Sequence, residues 1–311
     1  MRKLLLTLSL FFLASISLAQ DAAPFTAELF RYHVETNVVY HTANNYQSKL
    51  DVYTPAEAKG PTPVVIVIHG GGWIEGTKEE RVLEIMPYLQ MGFAAVNVEY
   101  RLGRVSRAPA AVEDCRCALH WVFTHAKPYN FDPERVVLQG GSAGGHLALT
   151  TGMLTPVAGF DHECRGPGED WSTTIGTSND PRVAAIVNWF GIADVVDELH
   201  GPNAKAYAVI WVGDQPNADE IAKRVSPINY VSSSTPPIIT IHGDKDALVP
   251  YSQSVRLHQA LDAAKVPNQL FTVPGAGHGG FTYEQNQKSW QAIREFLQKN
   301  VKGLGGPTPP R

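Results

Sequence analysis

Short runs of apolar, largely β-branched residues recur along the chain at Val64–Ile68, Phe93–Val98, Val136–Leu138 and Val183–Val187, and again from Pro237. Such runs mark strands buried on both faces, as in a parallel sheet. Between them the spacing turns helical. Lys78 to Gln90 carries Val82, Ile85, Met86 and Leu89 on one face. Ala108 to Thr124 does the same with Ala111, Cys115, Ala118, Leu119 and Val122. Ser252 to Lys265 predicts another helix, Gln269 to Val273 the last strand, and Ser289 to Leu297 continues a C-terminal helix. Alternating strand and helix imply an α/β fold, a mostly parallel central sheet with helices on both faces.

Three stretches depart from this rhythm. Gln47 to Tyr53 alternates polar and apolar, as a half-buried edge strand does, and a further strand is expected near Glu35 to Tyr40. Residues 155–180 are rich in Gly, Pro, Asp, Ser and Thr, a length of loop that suits a rim over a site as well as a plain surface excursion. Residues 193–228 read as irregular and short-helical, with Tyr207 and Trp211 able to pack as a cap. No repeat and no interdomain linker is visible. The expected organisation is a leader at 1–19, a lead-in at 20–45, one catalytic domain at 46–302 and a Gly/Pro tail at 303–311.

The leader follows from Arg2 and Lys3, an apolar stretch from Leu4 to Leu18, and the small-x-small site Ser17-Leu-Ala19. It predicts export to the periplasm or medium, without stable membrane insertion, because the apolar stretch is short and serine-rich for a span. With 311 residues, 44% hydrophobic and 18% charged, the chain can bury a sizeable core. The net charge of −4 and the lack of a basic run argue against nucleic acid as a partner. Oligomeric state is not legible. Of three cysteines, Cys115 and Cys117 point apart on one helix, so Cys164 is the partner available to either. There is no metal-ligand spacing, and neither a metal nor a cofactor is expected.

The chemistry concentrates where strands end. Gly140-Gly-Ser-Ala-Gly144 fits the G-x-S-x-G pattern between a strand and a helix, which would hold Ser142 on a sharp turn with the helix N-terminus behind it. His69-Gly-Gly-Gly-Trp73 follows the strand ending at Ile68, leaving bare backbone N–H groups that can bind an anion. A serine needs a base to take its proton, and the base needs a carboxylate to orient it. Ser142, Asp246 and His278 supply these in the order Ser, Asp, His, each just past a predicted strand. Among 11 histidines His278 stands out, because Gly275, Gly277, Gly279 and Gly280 leave its loop bare. The oxyanion donors would be the N–H of Ala143 and that of Gly71 or Gly72, with Trp73 a candidate pocket wall.

His146, His69 and His242 read as structural, and Glu99-Tyr-Arg101 as a local polar network. Asp244 follows Gly243 directly and is expected to bond its own turn, leaving Asp246 to reach the histidine.

On His69-Gly-Gly-Gly-Trp73, Gly140-Gly-Ser-Ala-Gly-Gly145, His242-Gly-Asp-Lys-Asp246 and Gly277-His278, the chain resembles the α/β-hydrolase superfamily across about residues 46 to 302. Within it, the likeness is to the esterase/lipase branch, near hormone-sensitive-lipase-like and bacterial feruloyl-esterase-like proteins. The resemblance implies a cofactor-free carboxylic ester hydrolase acting on short-chain or aromatic acyl esters, small or linked to polysaccharide, and supports Asp246 as the acid. Residues 155–180 have no counterpart in it that can be mapped. A serine amidase or peptidase of the same fold is the alternative. Export argues against a kynurenine-formamidase-like enzyme, and the lack of a propeller-sized N-terminal segment against a prolyl-oligopeptidase-like one.

Overall fold

A computed structural model describes residues 30–164 and 181–305. The expected leader, the later part of the 155–180 loop and the end of the tail lie outside the described residues. Eight strands form one sheet: β1 (Tyr32–Ala43), β2 (Tyr46–Pro55), β3 (Thr62–Ile68), β4 (Ala94–Val98), β5 (Phe131–Gly141), β6 (Ala185–Trp189), β7 (Ile238–Gly243) and β8 (Asn268–Val273). Their order is β1-β2-β4-β3-β5-β6-β7-β8. β1 and β2 form an antiparallel hairpin, β2 runs antiparallel to β4, and the remaining pairs are parallel.

The apolar runs are strands because each is covered twice. Every residue of β3 is buried. Val64, Ile66 and Ile68 face helices α2 (Ala110–Thr124), α3 (Ala143–Met153) and α7 (Ser252–Ala263), together with Leu138 and Ile186 of neighbouring strands. Val65 and Val67 face the other way, with Val137, Val187 and Ile241, onto α1 (Val82–Gln90) and α8 (Tyr283–Asn300). This alternation across a continuous apolar run is what a sheet sandwiched between helix layers requires. Helix α8 opens with a full capping box, Thr282 and Gln285 bonding each other's backbone N–H.

The edge differs from the expectation. The sheet ends at β1, and β2 lies between β1 and β4. β1 sits inside the expected lead-in, and most of it is exposed, with register shifts between Glu35 and Val38 and between Val39 and His41. A solvated, bulged strand has no clean period to show in sequence.

Between β6 and β7 lie three short helices, α4 (Val195–Leu199), α5 (Ala206–Val212) and α6 (Ala218–Arg224). They rest above the C-terminal end of the sheet, where Trp211 and Ala208 are fully buried. The start of the 155–180 loop is held down. Cys164 is disulfide-bonded to Cys117, and Cys115 is a buried free thiol. Beside the disulfide, Arg116 grips the Asp161 carboxylate with two N–H groups, both 2.6 Å away, and donates a third to the carbonyls of Thr151 and Leu154. Among the described residues no helix is long and apolar enough to cross a membrane.

Candidate active site

The sequence-predicted residues converge at the C-terminal ends of β3, β5, β7 and β8. Ser142 stands between β5 and α3 with φ 58° and ψ −123°, a backbone region that side chains rarely occupy. Two glycines make the turn possible. A Cβ at Gly140 would lie 2.1 Å from the Gly144 carbonyl oxygen, and one at Gly144 would lie 2.2 Å from that of Ile68. The Ser142 N–H donates to the Trp189 carbonyl of β6, at 2.9 Å, tying the turn to the neighbouring strand.

The glycine loop lies against this elbow. A Cβ at Gly70 would fall 3.5 Å from Cβ of Ser142. Gly71 (φ 107°), Gly72 (φ 56°) and Trp73 (φ 61°) all have positive φ, and the Gly71 carbonyl accepts from the N–H groups of Ile74 and Glu75. Among the described residues, the N–H groups of Gly71, Gly72 and Ala143 donate to no protein acceptor. His69 anchors the start of the loop, as a structural residue should. Its Nδ1 is 2.7 Å from the Gly70 carbonyl, and its ring stacks on Tyr100, whose hydroxyl donates to the His69 carbonyl. Glu99 and Arg101 complete the expected network, Glu99 accepting from the Lys78 N–H and Arg101 pairing with buried Asp114.

Trp73 is placed differently from a pocket wall. It is fully buried, stacked on Trp211 at 4.2 Å between ring centroids, so it presents no surface to a ligand. Its indole N–H donates to Nδ1 of His146 at 3.1 Å, which leaves Nε2 of His146 to donate to the Val225 carbonyl at 2.7 Å. Burial pushes the His146 imidazole down to about 4, against the pull of that carbonyl.

The acid and base meet as the sequence suggests. Nδ1 of His278 lies 2.7 Å from Oδ2 of Asp246. The other carboxylate oxygen, Oδ1, accepts the N–H groups of Leu248 and Val249 at 2.8 and 2.9 Å. Burial works to raise the Asp246 carboxyl, but hydrogen bonds from His242 and His278 and the Val249 N–H outweigh it and hold it well below the usual carboxylate range. His242 is more than packing. Its Nε2 is 3.1 Å from the same Oδ2, and its Nδ1 is 2.7 Å from the Ser254 hydroxyl. Asp244 does not bond its own turn. Its Oδ1 accepts the Gly275 N–H at 2.7 Å, and so braces the histidine loop instead.

One residue here carried no sequence signal. Phe190, with φ 40°, puts its ring 4.5 Å from that of His278. A Cβ at Gly141 would touch this ring at 3.5 Å, and one at Gly279 at 3.6 Å, so Phe190 is wedged between the serine turn and the histidine loop.

The assembly therefore offers a strained serine, a histidine oriented by an ionised carboxylate, and two sets of unengaged backbone N–H groups beside the serine. That set can activate a hydroxyl and stabilise an oxyanion. The model of a family described as BD-FAE matches residues 50–261. The chain belongs to the BD-FAE family. Its fold is the α/β-hydrolase fold, shared with solved esterases. A truncated carbohydrate esterase from gut microbiota is 29% identical, with a TM-score of 0.68 over 88% of this chain and 98% of that one. Esterase Est2 of Thermogutta terrifontis, solved with propionate bound, is 27% identical, with a TM-score of 0.70 over 89% of this chain and 97% of that one. Esterase LipQ of Mycobacterium tuberculosis is 29% identical over 258 residues, which is 80% of this chain and 58% of that protein. The chain spans about half the length of the curated relatives it matches.

Proposed function

We propose that this protein is an exported serine carboxylesterase that hydrolyses short-chain or aromatic acyl esters, with acetyl or feruloyl groups on plant polysaccharide as the favoured substrate class. The observation that carries this reading is the 2.7 Å pair of His278 Nδ1 and Asp246 Oδ2, on a histidine loop that the Phe190 ring joins to the turn holding Ser142 at φ 58° and ψ −123°. The carbohydrate esterase and the propionate-bound esterase among its structural relatives support the substrate class.

In this mechanism Nδ1–H of His278 donates to Asp246, so Nε2 is free to take the Ser142 proton. The serine oxygen then attacks the ester carbonyl. Negative charge on the carbonyl oxygen is met by the N–H of Ala143 and by that of Gly71 or Gly72. Collapse breaks the ester C–O bond, and His278 returns the proton to the departing alcohol. Water repeats the sequence on the acyl-serine, releasing the acid and restoring Ser142. Asp246 stays ionised throughout, because its hydrogen bonds favour the carboxylate.

The test is hydrolysis of p-nitrophenyl acetate and methyl ferulate by the chain lacking residues 1–19, with Ser142→Ala as control. Burst release of p-nitrophenol by the parent and its loss in the variant are expected. Wild-type turnover by Ser142→Ala would reject the mechanism.

A further inference from the structure

Glu198, on α4, is fully buried, and among the described residues its carboxyl oxygens have no charged partner within hydrogen-bond reach. Its acidic neighbours are all engaged. Asp194 and Asp197 each accept from Arg256 at 2.8 Å, and Asp197 also accepts from Gln253. Burying a carboxyl without a charged partner is costly, and such groups mark places where a fold serves a site.

The surroundings of Glu198 indicate which site. The Lys205 N–H donates to the Glu198 carbonyl at 2.9 Å, which brings the start of α5 against Glu198, and the Tyr207 hydroxyl acts on its carboxyl as a hydrogen-bond donor. Tyr207 is half-buried and bridges the glycine loop and the acid loop. At one end, a Cβ on Gly72 would fall 2.7 Å from the Tyr207 Cβ, so the residue sits on the proposed oxyanion loop. At the other end its hydroxyl is 3.4 Å from the carbonyl of Leu248, whose N–H is bonded to Asp246. Lys205 ties the same segment to the acid loop through the Ala247 carbonyl at 3.0 Å. Both Glu198 and Tyr207 feel the charge of Asp246.

We propose that the Tyr207 hydroxyl, positioned by the Glu198 carboxyl behind it, is a subsite that hydrogen-bonds a free hydroxyl of the substrate. Tyr207 touches the substrate, and Glu198 acts through Tyr207. The reading rests on the esterase function proposed above and deepens it, since it selects esters of polyhydroxylated alcohols, such as partly acetylated sugars, over esters of plain alcohols. Burial pushes the Glu198 carboxyl up to about 8, against the pull of the Tyr207 hydroxyl and the Lys205 ammonium. It therefore carries its proton near neutral pH and has one donor and one acceptor to share with a phenol. Sites built to bond a substrate hydroxyl reject the analogue lacking it far more strongly than apolar pockets reject a methylene.

The measurement is kcat/KM for a methyl xyloside monoacetate divided by that for cyclohexyl acetate, a ring ester without hydroxyls. Tyr207→Phe should lower the ratio about tenfold or more, and Glu198→Leu should lower it comparably. Glu198→Gln, which keeps a neutral donor and acceptor, should retain the ratio within about threefold. A ratio unmoved by Tyr207→Phe overturns the subsite. An equal loss in the Gln and Leu variants overturns the positioning role of Glu198. Tyr207→Phe removes one oxygen, so it decides the matter even if Glu198→Leu does not fold. Turnover of cyclohexyl acetate by the parent, with an unmoved ratio, sinks the subsite alone. Turnover of neither ester sinks the esterase reading and the subsite with it.

Discussion

Trp73 holds His146 in one tautomer by donating its indole N–H to Nδ1, so this buried histidine of α3 is a neutral hydrogen-bonding block. An unfolded imidazole takes a proton near 6.5, whereas the folded one resists until about 4. Between those values the unfolded chain binds more protons, so stability falls as pH falls through that window, by about 3 kcal/mol in total. Glu198 has the opposite sign. Its folded value of about 8 lies above the unfolded one, so its contribution is full below about 4.5 and is lost as pH rises towards 8. Denaturant unfolding from pH 4 to 8 should show His146→Gln losing the acid-side slope and Glu198→Leu losing the neutral-side slope. A difference from the parent that is constant with pH, in either variant, would contradict the assignment for that residue.

The serine turn stores strain that a glycine would relieve. Ser142→Gly should abolish ester hydrolysis and yet unfold at higher temperature than Ser142→Ala, by the equivalent of about 1 kcal/mol. Calorimetry of the two variants side by side decides this. Equal melting temperatures would mean that the backbone at 142 relaxes at no cost.

Two aspartates at the end of β7 should separate cleanly. Asp246→Asn leaves His278 without its ionised partner and should lower kcat by roughly 10⁴, the loss seen for the equivalent change in serine proteases. Asp244→Asn weakens the bond to the Gly275 N–H and should cost about 1 kcal/mol of stability, with turnover reduced only modestly. Steady-state kinetics and melting temperatures of both variants are the check. A kinetic defect as deep in Asp244→Asn as in Asp246→Asn would show that bracing the histidine loop matters as much as charging it.

Cys117 and Cys164 close a loop with a sequence separation of 47. Loop-closure arguments put the loss on reduction at about 4 kcal/mol at most, and less where the reduced chain keeps structure. Non-reducing peptide mapping should find Cys117 joined to Cys164, with Cys115 alkylated only after denaturation. A Cys115–Cys164 peptide would overturn the pairing.

The parallel strands were legible because burial on both faces writes a continuous apolar run, and the elbow because its glycines are sterically compelled. Gly144 has no room for a methyl group against Ile68. What stayed hidden depends on contacts made far apart in the chain. β1 is too solvated to show a period beyond its middle. The choice between Cys115 and Cys117 depends on how the loop returns over α2. Trp73 follows a glycine loop as a pocket residue would, but α5 descends on it and Trp211 seals it in. The contact of His242 with Asp246 and the Phe190 wedge exist only once β6, β7 and the histidine loop are side by side.

The Ser142 amide is already committed to the Trp189 carbonyl. Under the proposed mechanism the serine turn thus brings only one donor of its own, from Ala143, and must borrow the second from the loop after β3. No isolated piece of the chain can hold both. Ester turnover becomes a readout of whether β3 and β5 have zipped in register, with Ile68 opposite Gly140. A folding intermediate with the helices formed and those strands slipped by one residue would be silent in the assay, however native its circular dichroism.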